Sequence, residues 1–306
     1  MPNIASGHAH GKIILMGEHA VVYGQPAIAM PLKNITLNVS ISPCKQLYIN
    51  CDFYQGLLQS MPELFRSLQV LIEQILKFLN QEKATFKINL NSQIPIERGM
   101  GSSAAVAVAT TRALFDYFNT PLSNETLLNF VNISETIAHG KPSGIDALLT
   151  SHNQPYYFIK GKQPEPIINN LAATLIVADT GITGQTKLAV QNVKQLLEKQ
   201  PETTQTTIQQ LGQLATQSKR ALTHNQPVLL GQYMNQAHNL LQNLNISIPE
   251  LDNLTKTALN AGAYGAKLTG GGLGGCMIAL CEPNKASTIQ QQLLTAGAKQ
   301  TWCVHF

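Results

Sequence analysis

A segment rich in glycine and serine at residues 95–106 constrains the fold of this chain more than any other stretch. It reads PIERGMGSSAAV, between a strand-like segment at residues 86–90 and a run of helix-forming composition. The glycines and serines therefore lie where a loop becomes a helix N-terminus, with unpaired backbone N–H groups and partial positive charge. The sequence predicts either a phosphate site, with a serine hydroxyl available to Mg²⁺, or a serine N-cap on a buried helix.

Two nucleotide-binding motifs are matched only in part. Residues 99–104 fit G-x-G-x-x-A, but the dinucleotide fingerprint also needs a second parallel strand that ends in an acidic residue roughly 20 positions later. Here a second helical pattern follows instead, at residues 125–137. Residues 7–13, GHAHGKI, are too short for a Walker A loop and lack its closing Ser or Thr. The sequence argues against both a Rossmann fold and a P-loop.

Composition and charge exclude several classes of protein. The 306 residues are 44% hydrophobic, enough for two lobes or one large domain. The net charge is +4, and the basic residues are spread along the sequence without forming runs. We therefore expect no nucleic-acid partner. The five cysteines form no C-x-x-C pair, which favours free thiols. Charges at Lys12 and Glu18 do not fit a secretory signal, and no apolar run approaches a membrane span. We expect a cytoplasmic protein without a membrane partner.

Hydrophobic periodicity predicts a mixture of strands and helices. The predicted strands are 12–16, 27–30, 36–41, 85–90, 156–159, 174–179, 276–280 and 301–306. The predicted helices are 62–80, 102–118, 123–138, several amphipathic ones within the Gln- and Asn-rich stretch 185–245, and 284–296. A stretch with Gly and Pro at 161–166 suggests a division into lobes at residues 1–165 and 166–306.

An adjacent acid and histidine follow the first predicted strand. Residues 11–24 read GKIILMGEHAVVYG, so Lys12 precedes the strand and Glu18 and His19 follow it. A five-residue strand spans about 16 Å. Its two ends cannot contact the same atom, but they could bracket a small substrate. The alternative interpretation of Glu18 and His19 is a surface charge pair.

Two carboxylates flank a predicted turn in residues 135–146, which read ETIAHGKPSGID. The turn could return Glu135 and Asp146 to one cleft, where one carboxylate holds a cation and the other accepts a proton. The alternative is a simple helix-surface pair between Glu135 and His139, which are four residues apart.

A second glycine-rich segment lies near the C-terminus. Residues 267–276 read KLTGGGLGGC, with five glycines among six residues just before a predicted strand. A tight turn needs fewer glycines than this. The run indicates a backbone packed closely against another group, most simply a phosphate or the substrate.

Taken in order, these segments resemble the superfamily of galactokinase, homoserine kinase, mevalonate kinase and phosphomevalonate kinase. Residues 17–24 and 139–146 are similar to its mevalonate kinase branch, and the resemblance covers residues 11–276. His10 stands where the family usually has proline. The resemblance implies an α+β fold of two lobes with the active site between them. The N-terminal lobe would contain a left-handed β-α-β crossover, and the C-terminal lobe would be ferredoxin-like.

The resemblance also implies an activity. The enzyme would use ATP and Mg²⁺ to phosphorylate the primary hydroxyl of mevalonate, giving phosphomevalonate and ADP for isoprenoid biosynthesis. A homodimer is common in the family. Two alternatives are a phosphomevalonate or homoserine kinase, and a non-catalytic sensor of ligand and nucleotide.

Roles for individual residues follow from the same resemblance. Asp146 would be the base or the group that orients the hydroxyl, and Lys12 would keep it ionised and stabilise the transferred charge. The residues implied in nucleotide binding are Gly99, Gly101, Ser102, Ser103 and Ala104. The residues implied in Mg²⁺ binding are Ser103 and Glu135, with Ser102 as the alternative serine. The residues implied in substrate binding are Glu18, His19, Ser143, Thr269 and Gly270.

Overall fold

The computed structural model describes residues 4–140 and 144–305 and divides the chain into two compact units. The first unit comprises Met1–Lys12, Leu32–Ile96 and Gly101–Asn153, and the second comprises Ile13–Pro31, Glu97–Met100 and Gln154–Phe306. Two long strands, β1 (Ala5–Met16) and β2 (Ala27–Pro43), contribute residues to both units. The expected α+β class is confirmed, while the boundary between residues 165 and 166 stays a prediction.

The strands of the first unit are ordered β4-β3-β5-β2, and β1 pairs with β2. The added strands are β3 (Tyr48–Cys51), β4 (Tyr54–Leu57) and β5 (Phe86–Ser92). β3 and β5 pair in parallel, whereas β3–β4 and β2–β5 are antiparallel. Parallel neighbours need a crossover connection. Here β4 and a helix supply it, which gives the β-α-β unit that the resemblance implied.

The helices of the first unit pack around a buried central helix. They are α1 (Arg66–Phe78), α2 (Ser102–Tyr117), α3 (Asn124–His139) and α4 (Ile145–Ser151). A short 3₁₀ turn, Glu63–Phe65, precedes α1. α2 contacts the other three helices and is rich in buried alanine, which allows close approach. The Ser123 hydroxyl caps α3 by accepting a hydrogen bond from the Thr126 N–H. The predicted helices at 102–118 and 123–138 are confirmed.

The second unit contains an antiparallel sheet of four strands in the order β11-β8-β10-β9. These strands are β8 (Thr174–Asp179), β9 (Gly265–Thr269), β10 (Cys276–Cys281) and β11 (Gln300–His305). The first of them lies between the fourth and the third, which is the ferredoxin-like order. Every residue of β8, β9 and β10 is buried. The ferredoxin-like C-terminal lobe is therefore confirmed.

The Gln- and Asn-rich stretch forms helices between β8 and β9, as its periodicity predicts. The helices of the second unit are α5 (Thr186–Lys199), α6 (Pro201–Thr223), α7 (Pro227–Asn243), α8 (Pro249–Asn260) and α9 (Ala286–Thr295). α6, α7 and α8 each begin with proline, whose missing N–H has no helical partner to lose there. None of the helices in the described ranges combines the length and apolarity needed to cross a membrane.

β2 runs unbroken through Pro31, although the sequence predicts two separate strands there. Its residues Ala27–Ala29 pair with β6 (Tyr156–Phe158), to which the two-residue β7 (Glu165–Pro166) is added. Its residues Leu37–Pro43 pair with β5. Pro31 lies between these two paired stretches, so its missing N–H removes no hydrogen bond from either of them.

Short 3₁₀ turns complete the chain. They are Ala20–Tyr23, Leu58–Ser60 and Pro283–Lys285.

Candidate active site

The glycine-serine segment ends at the N-terminus of α2, in the first unit. Gly101 precedes the helix with a left-handed backbone (φ 74°), and no side chain caps α2. Ser102 and Ser103 are already helical, so the alternative prediction of a serine N-cap is wrong. A Cβ at Gly101 would lie 2.9 Å from Lys12 Cγ, so both the backbone and the packing require glycine. The first turn, Ser102 to Ala104, therefore offers the backbone N–H groups that favour an anion.

Glu135 lies in α3 with its side chain only 5% exposed. The Ser103 side chain hydrogen-bonds to its carboxylate, yet among the described residues Oε1 has no hydrogen-bond partner. Burial raises the pKa of Glu135, and the nearby charge of Asp146 raises it further. His139 is a weak partner, because its Nε2 lies 3.9 Å away on an exposed ring. A buried carboxylate oxygen beside a serine hydroxyl is a donor set that suits Mg²⁺.

Lys12 and Asp146 form an ion pair in the same unit. Lys12 Nζ lies 2.9 Å from Asp146 Oδ1, with side chains 7% and 39% exposed respectively. Asp146 lies in the first turn of α4, which begins after the left-handed Gly144 (φ 78°). The described part of the chain contains no group of three or more His, Cys, Asp or Glu side chains arranged for a metal. The first unit therefore combines a carboxylate, a buried cation and a helix N-terminus.

Glu18 and His19 are buried in the second unit. The Glu18 carboxylate contacts Lys267 Nζ, and both side chains have no exposed surface. His19 has a left-handed backbone (φ 58°), which is unusual for a residue other than glycine. Its Nε2 donates to the Gly271 carbonyl at 2.8 Å. Burial lowers the pKa of His19, so the ring is neutral at pH 7. The alternative prediction of a surface charge pair is therefore wrong.

The C-terminal glycine run packs mainly against the protein's own backbone. A Cβ at Gly272 would lie 2.2 Å from the Ile246 carbonyl, and one at Gly274 would lie 2.6 Å from the Thr183 carbonyl. The prediction that a phosphate or substrate explains this run is thus unnecessary at these two positions. Gly270 approaches Gly99, since a Cβ added to it would lie 3.5 Å from Gly99 Cα. Both glycines belong to the second unit.

Thr269 immediately precedes the glycine run and is 3% exposed. Its hydroxyl donates to the Ile14 carbonyl at 2.7 Å. The proton of this hydroxyl is therefore committed to the protein, and only its oxygen lone pairs remain to accept a further hydrogen bond.

Arg98 holds the glycine-serine segment in place, a role that the sequence did not indicate. Its Nε donates to Asp179 Oδ1 at 2.9 Å, Nη1 to Thr183 Oγ1 at 3.1 Å and Nη2 to the Gly181 carbonyl at 3.0 Å. The guanidinium thus fixes the segment that contains Gly99 to the loop after β8. The sequence signal was its place next to the glycines, but its partners lie more than eighty residues away.

The structure gathers the predicted residues into one cluster in each unit. The cluster of the first unit contains Lys12, Gly101, Ser102, Ser103, Ala104, Glu135 and Asp146. The cluster of the second unit contains Glu18, His19, Gly99, Thr269 and Gly270. Ser143, predicted to contact the substrate, lies outside the described residues.

Family models, sequence relatives and solved structures all indicate the same family for this chain. The GHMP kinases N terminal domain matches residues 69–153, and the GHMP kinases C terminal domain matches residues 218–299. The mevalonate kinase of Pyrococcus abyssi is 32% identical, over 97% of this chain and 94% of the relative. The crystal structure of L. major mevalonate kinase in complex with R-mevalonate has a TM-score of 0.85 at 26% identity, covering 99% of this chain and 97% of that chain.

A second solved structure agrees at higher sequence identity. The mevalonate kinase from methicillin-resistant Staphylococcus aureus MRSA252 is 32% identical, with a TM-score of 0.76, covering 99% of this chain and 98% of that chain. The similarity therefore extends over nearly the whole chain in both sequence and fold. The chain belongs to the GHMP kinase family, and among these enzymes it is a member of the mevalonate kinases.

Proposed function

We propose that the protein transfers the γ-phosphoryl group of ATP to the primary hydroxyl of mevalonate, giving phosphomevalonate and ADP. The observation that carries this proposal is the 2.9 Å pair of Lys12 and Asp146 next to the start of α2. A carboxylate, a cation and a helix N-terminus are what phosphoryl transfer to an alcohol requires. The full-length similarity to mevalonate kinases supports mevalonate as the acceptor.

Asp146 serves as the base in this proposal. It accepts the hydroxyl proton while the hydroxyl oxygen bonds to the γ-phosphorus and the bond from that phosphorus to the ADP oxygen breaks. The Asp146 side chain is 39% exposed, so the proton can pass on to solvent. Lys12 stabilises the charge on the transferred phosphoryl group, and its burial shields this interaction from water.

Mg²⁺ fits the residues of the first unit. Ser103 and Glu135 would hold it, because they combine a hydroxyl with a buried carboxylate oxygen that lacks a partner in the described chain. Ser102 is the alternative hydroxyl. When bound, the ion would neutralise phosphate charge. The backbone N–H groups of the first turn of α2, together with Gly99 and Gly101, hold the phosphates in this assignment.

The cluster of the second unit is assigned to mevalonate. Glu18 and His19 supply buried polar groups, and the neutral His19 ring adds no positive charge to this cluster. Thr269 can accept a hydrogen bond from a substrate hydroxyl, since its own proton is donated to Ile14. Gly270 provides close approach to the backbone, and Ser143 keeps its assignment from the sequence alone.

The test is ADP release from Mg·ATP with mevalonate, phosphomevalonate and homoserine assayed in parallel. We expect turnover with mevalonate alone. Turnover with one of the other alcohols instead would retain the phosphoryl-transfer chemistry and overturn the assignment of the acceptor. A folded protein that binds ATP and releases no ADP with any of the three would be a non-catalytic sensor, and the proposal would be wrong.

Location and assembly are also proposals. A cytoplasmic location is supported by the five cysteines, which are all free thiols in the structure. A homodimer is proposed from the family resemblance, and light scattering of the purified protein would give its mass in solution.

A further inference from the structure

Lys267 is a fully buried cation that the proposed mechanism does not use. It lies in β9, and its side chain has no exposed surface. Nζ contacts the Glu18 carboxylate, itself fully buried, and donates to the Leu268 carbonyl at 2.7 Å. The ammonium is already engaged by these two oxygens, and the Glu18 carboxylate is enclosed to the same degree. Any role in the reaction must therefore pass through the groups that it contacts.

The pair is sensitive to the loss of either partner. Removing an ammonium or a carboxylate from water is costly, and the cost is offset only when the opposite charge and hydrogen bonds are in place. Burial lowers the pKa of Lys267, while the charge of Glu18 acts in the opposite direction and favours the ammonium. Without Lys267, Glu18 would be a buried carboxylate that has lost its counter-ion. It would then take up a proton or turn toward water.

The backbone next to Lys267 is held from both sides. The Leu268 N–H donates to His238 Nδ1 at 3.3 Å, and its carbonyl accepts from Lys267. Because His238 Nδ1 accepts, the ring carries its hydrogen on Nε2, which lies 3.1 Å from Asp252 Oδ1. The ion pair with Glu18 is therefore attached to a fixed segment of β9, directly before Thr269.

We propose that Lys267 is a positioning residue that holds Glu18 ionised and in one orientation, and through Glu18 the adjacent His19, and so sets the affinity for the alcohol substrate without touching it. This inference rests on the proposed function, in which the segment of Glu18 and His19 binds mevalonate. Glu18 and Lys267 are 249 residues apart in the chain and meet only in the folded second unit. The segment KLTG then does more than precede the glycine run, because its lysine, Lys267, supports Glu18.

The experiment compares Lys267→Met, Glu18→Gln and the double variant by steady-state kinetics. We expect Lys267→Met to raise KM for mevalonate roughly tenfold or more while KM for ATP changes less than about twofold. In the double variant, KM for mevalonate should be no higher than in Glu18→Gln, since the proposal assigns the effect of Lys267 to Glu18 and not to its hydrogen bond with the Leu268 carbonyl before Thr269. Additive effects, or equal changes in both KM values, would overturn the inference.

Two measures keep folding from obscuring the result. Lys256→Met makes the same substitution at an exposed position of α8 and should leave both KM values unchanged. If Lys267→Met does not fold, the double variant, which has no unpaired buried charge, is compared with Glu18→Gln. KM values for mevalonate that differ more than about threefold between these two would then overturn the inference.

The failure of the proposed function gives a different pattern. If the unaltered protein uses another alcohol, KM for that alcohol is measured in place of KM for mevalonate. Lys267→Met should then raise KM for that alcohol and leave KM for ATP nearly unchanged. An unaltered protein with no turnover at all would remove both proposals. Turnover of mevalonate with additive double-variant effects would remove only the role of Lys267.

Discussion

Lys12 Nζ lies 2.9 Å from Asp146 Oδ1, and the two partners differ in their access to solvent. The lysine side chain is 7% exposed, whereas that of the aspartate is 39% exposed. The carboxylate is thus open to an incoming hydroxyl, and the ammonium lies enclosed behind it. This arrangement suits a base that meets substrate and a cation that stays fixed.

Asp146→Asn tests the role of the base. Asparagine keeps the size of the side chain but cannot take the hydroxyl proton, so we expect kcat to fall about 10²- to 10⁴-fold. The dissociation constant for ATP should change little, because the first turn of α2 is untouched. An assay of ADP release measures kcat, and isothermal titration calorimetry measures the dissociation constant for ATP. A variant with near-normal kcat would remove Asp146 from this role.

Lys12→Met tests the enclosed cation. We expect kcat to fall about 10²- to 10³-fold, the loss typical of one preorganised charge at the transition state. Lys77→Met is the matched control, since Lys77 is exposed on α1 and should leave kcat unchanged. Because Lys12 and Asp146 act as a unit, the double variant should be little slower than Asp146→Asn. Fully multiplicative losses would mean that Lys12 acts on the phosphoryl group independently of Asp146.

The sequence predicted local features far better than long-range contacts. The start of α2 followed from two glycines and two serines ahead of a run of small apolar residues, and the helix begins at Ser102 as expected. The contacts of Arg98 with Asp179 and of Glu18 with Lys267 join residues distant in the chain. No periodicity or spacing encodes such pairs, because they depend on how the strands are arranged in the folded unit.

The glycine run shows how a correct signal received an incomplete explanation. Five glycines correctly indicated close backbone packing, but Gly272 and Gly274 face carbonyl groups of the protein itself. A glycine in the sequence indicates that a side chain would not fit, but it does not indicate which group occupies the space. The assignment of Asp146 and Glu135 to different roles likewise came from the family resemblance, since spacing alone cannot tell a base from a metal ligand.

Glu135→Gln tests the proposed metal contact. The amide keeps the shape of the side chain but loses the negative charge, so the Mg²⁺ concentration for half-maximal activity should rise about tenfold or more. Titration of Mn²⁺ followed by water-proton relaxation should show the same weakening without turnover. Glu125→Gln, at the exposed start of α3, serves as the control. Unchanged metal affinity in Glu135→Gln would contradict the assignment.

Arg98→Met tests whether this arginine positions the glycine-serine segment or binds phosphate directly. Its three donor nitrogens already contact Asp179, Thr183 and Gly181. We expect KM for ATP to rise about tenfold through loss of that anchor, and Asp179→Asn to reproduce most of the effect. Arg98→Lys should not restore affinity, since one ammonium cannot replace the planar fork. If Arg98 bound phosphate directly, Asp179→Asn would have a normal KM for ATP.

Gly272→Ala tests the packing of the glycine run, with Gly161→Ala as its control. Both positions have left-handed backbones, with φ of 76° and 80°, so both alanines incur the conformational cost of about 1 kcal/mol. A Cβ at Gly161 has no atom within 4 Å, whereas one at Gly272 would lie 2.2 Å from the Ile246 carbonyl. Urea unfolding should therefore show a loss at Gly272 that exceeds the loss at Gly161 by roughly 2 kcal/mol or more. Equal losses would mean that the backbone around Ile246 yields to the new methyl group, and that conformation rather than packing requires glycine at position 272.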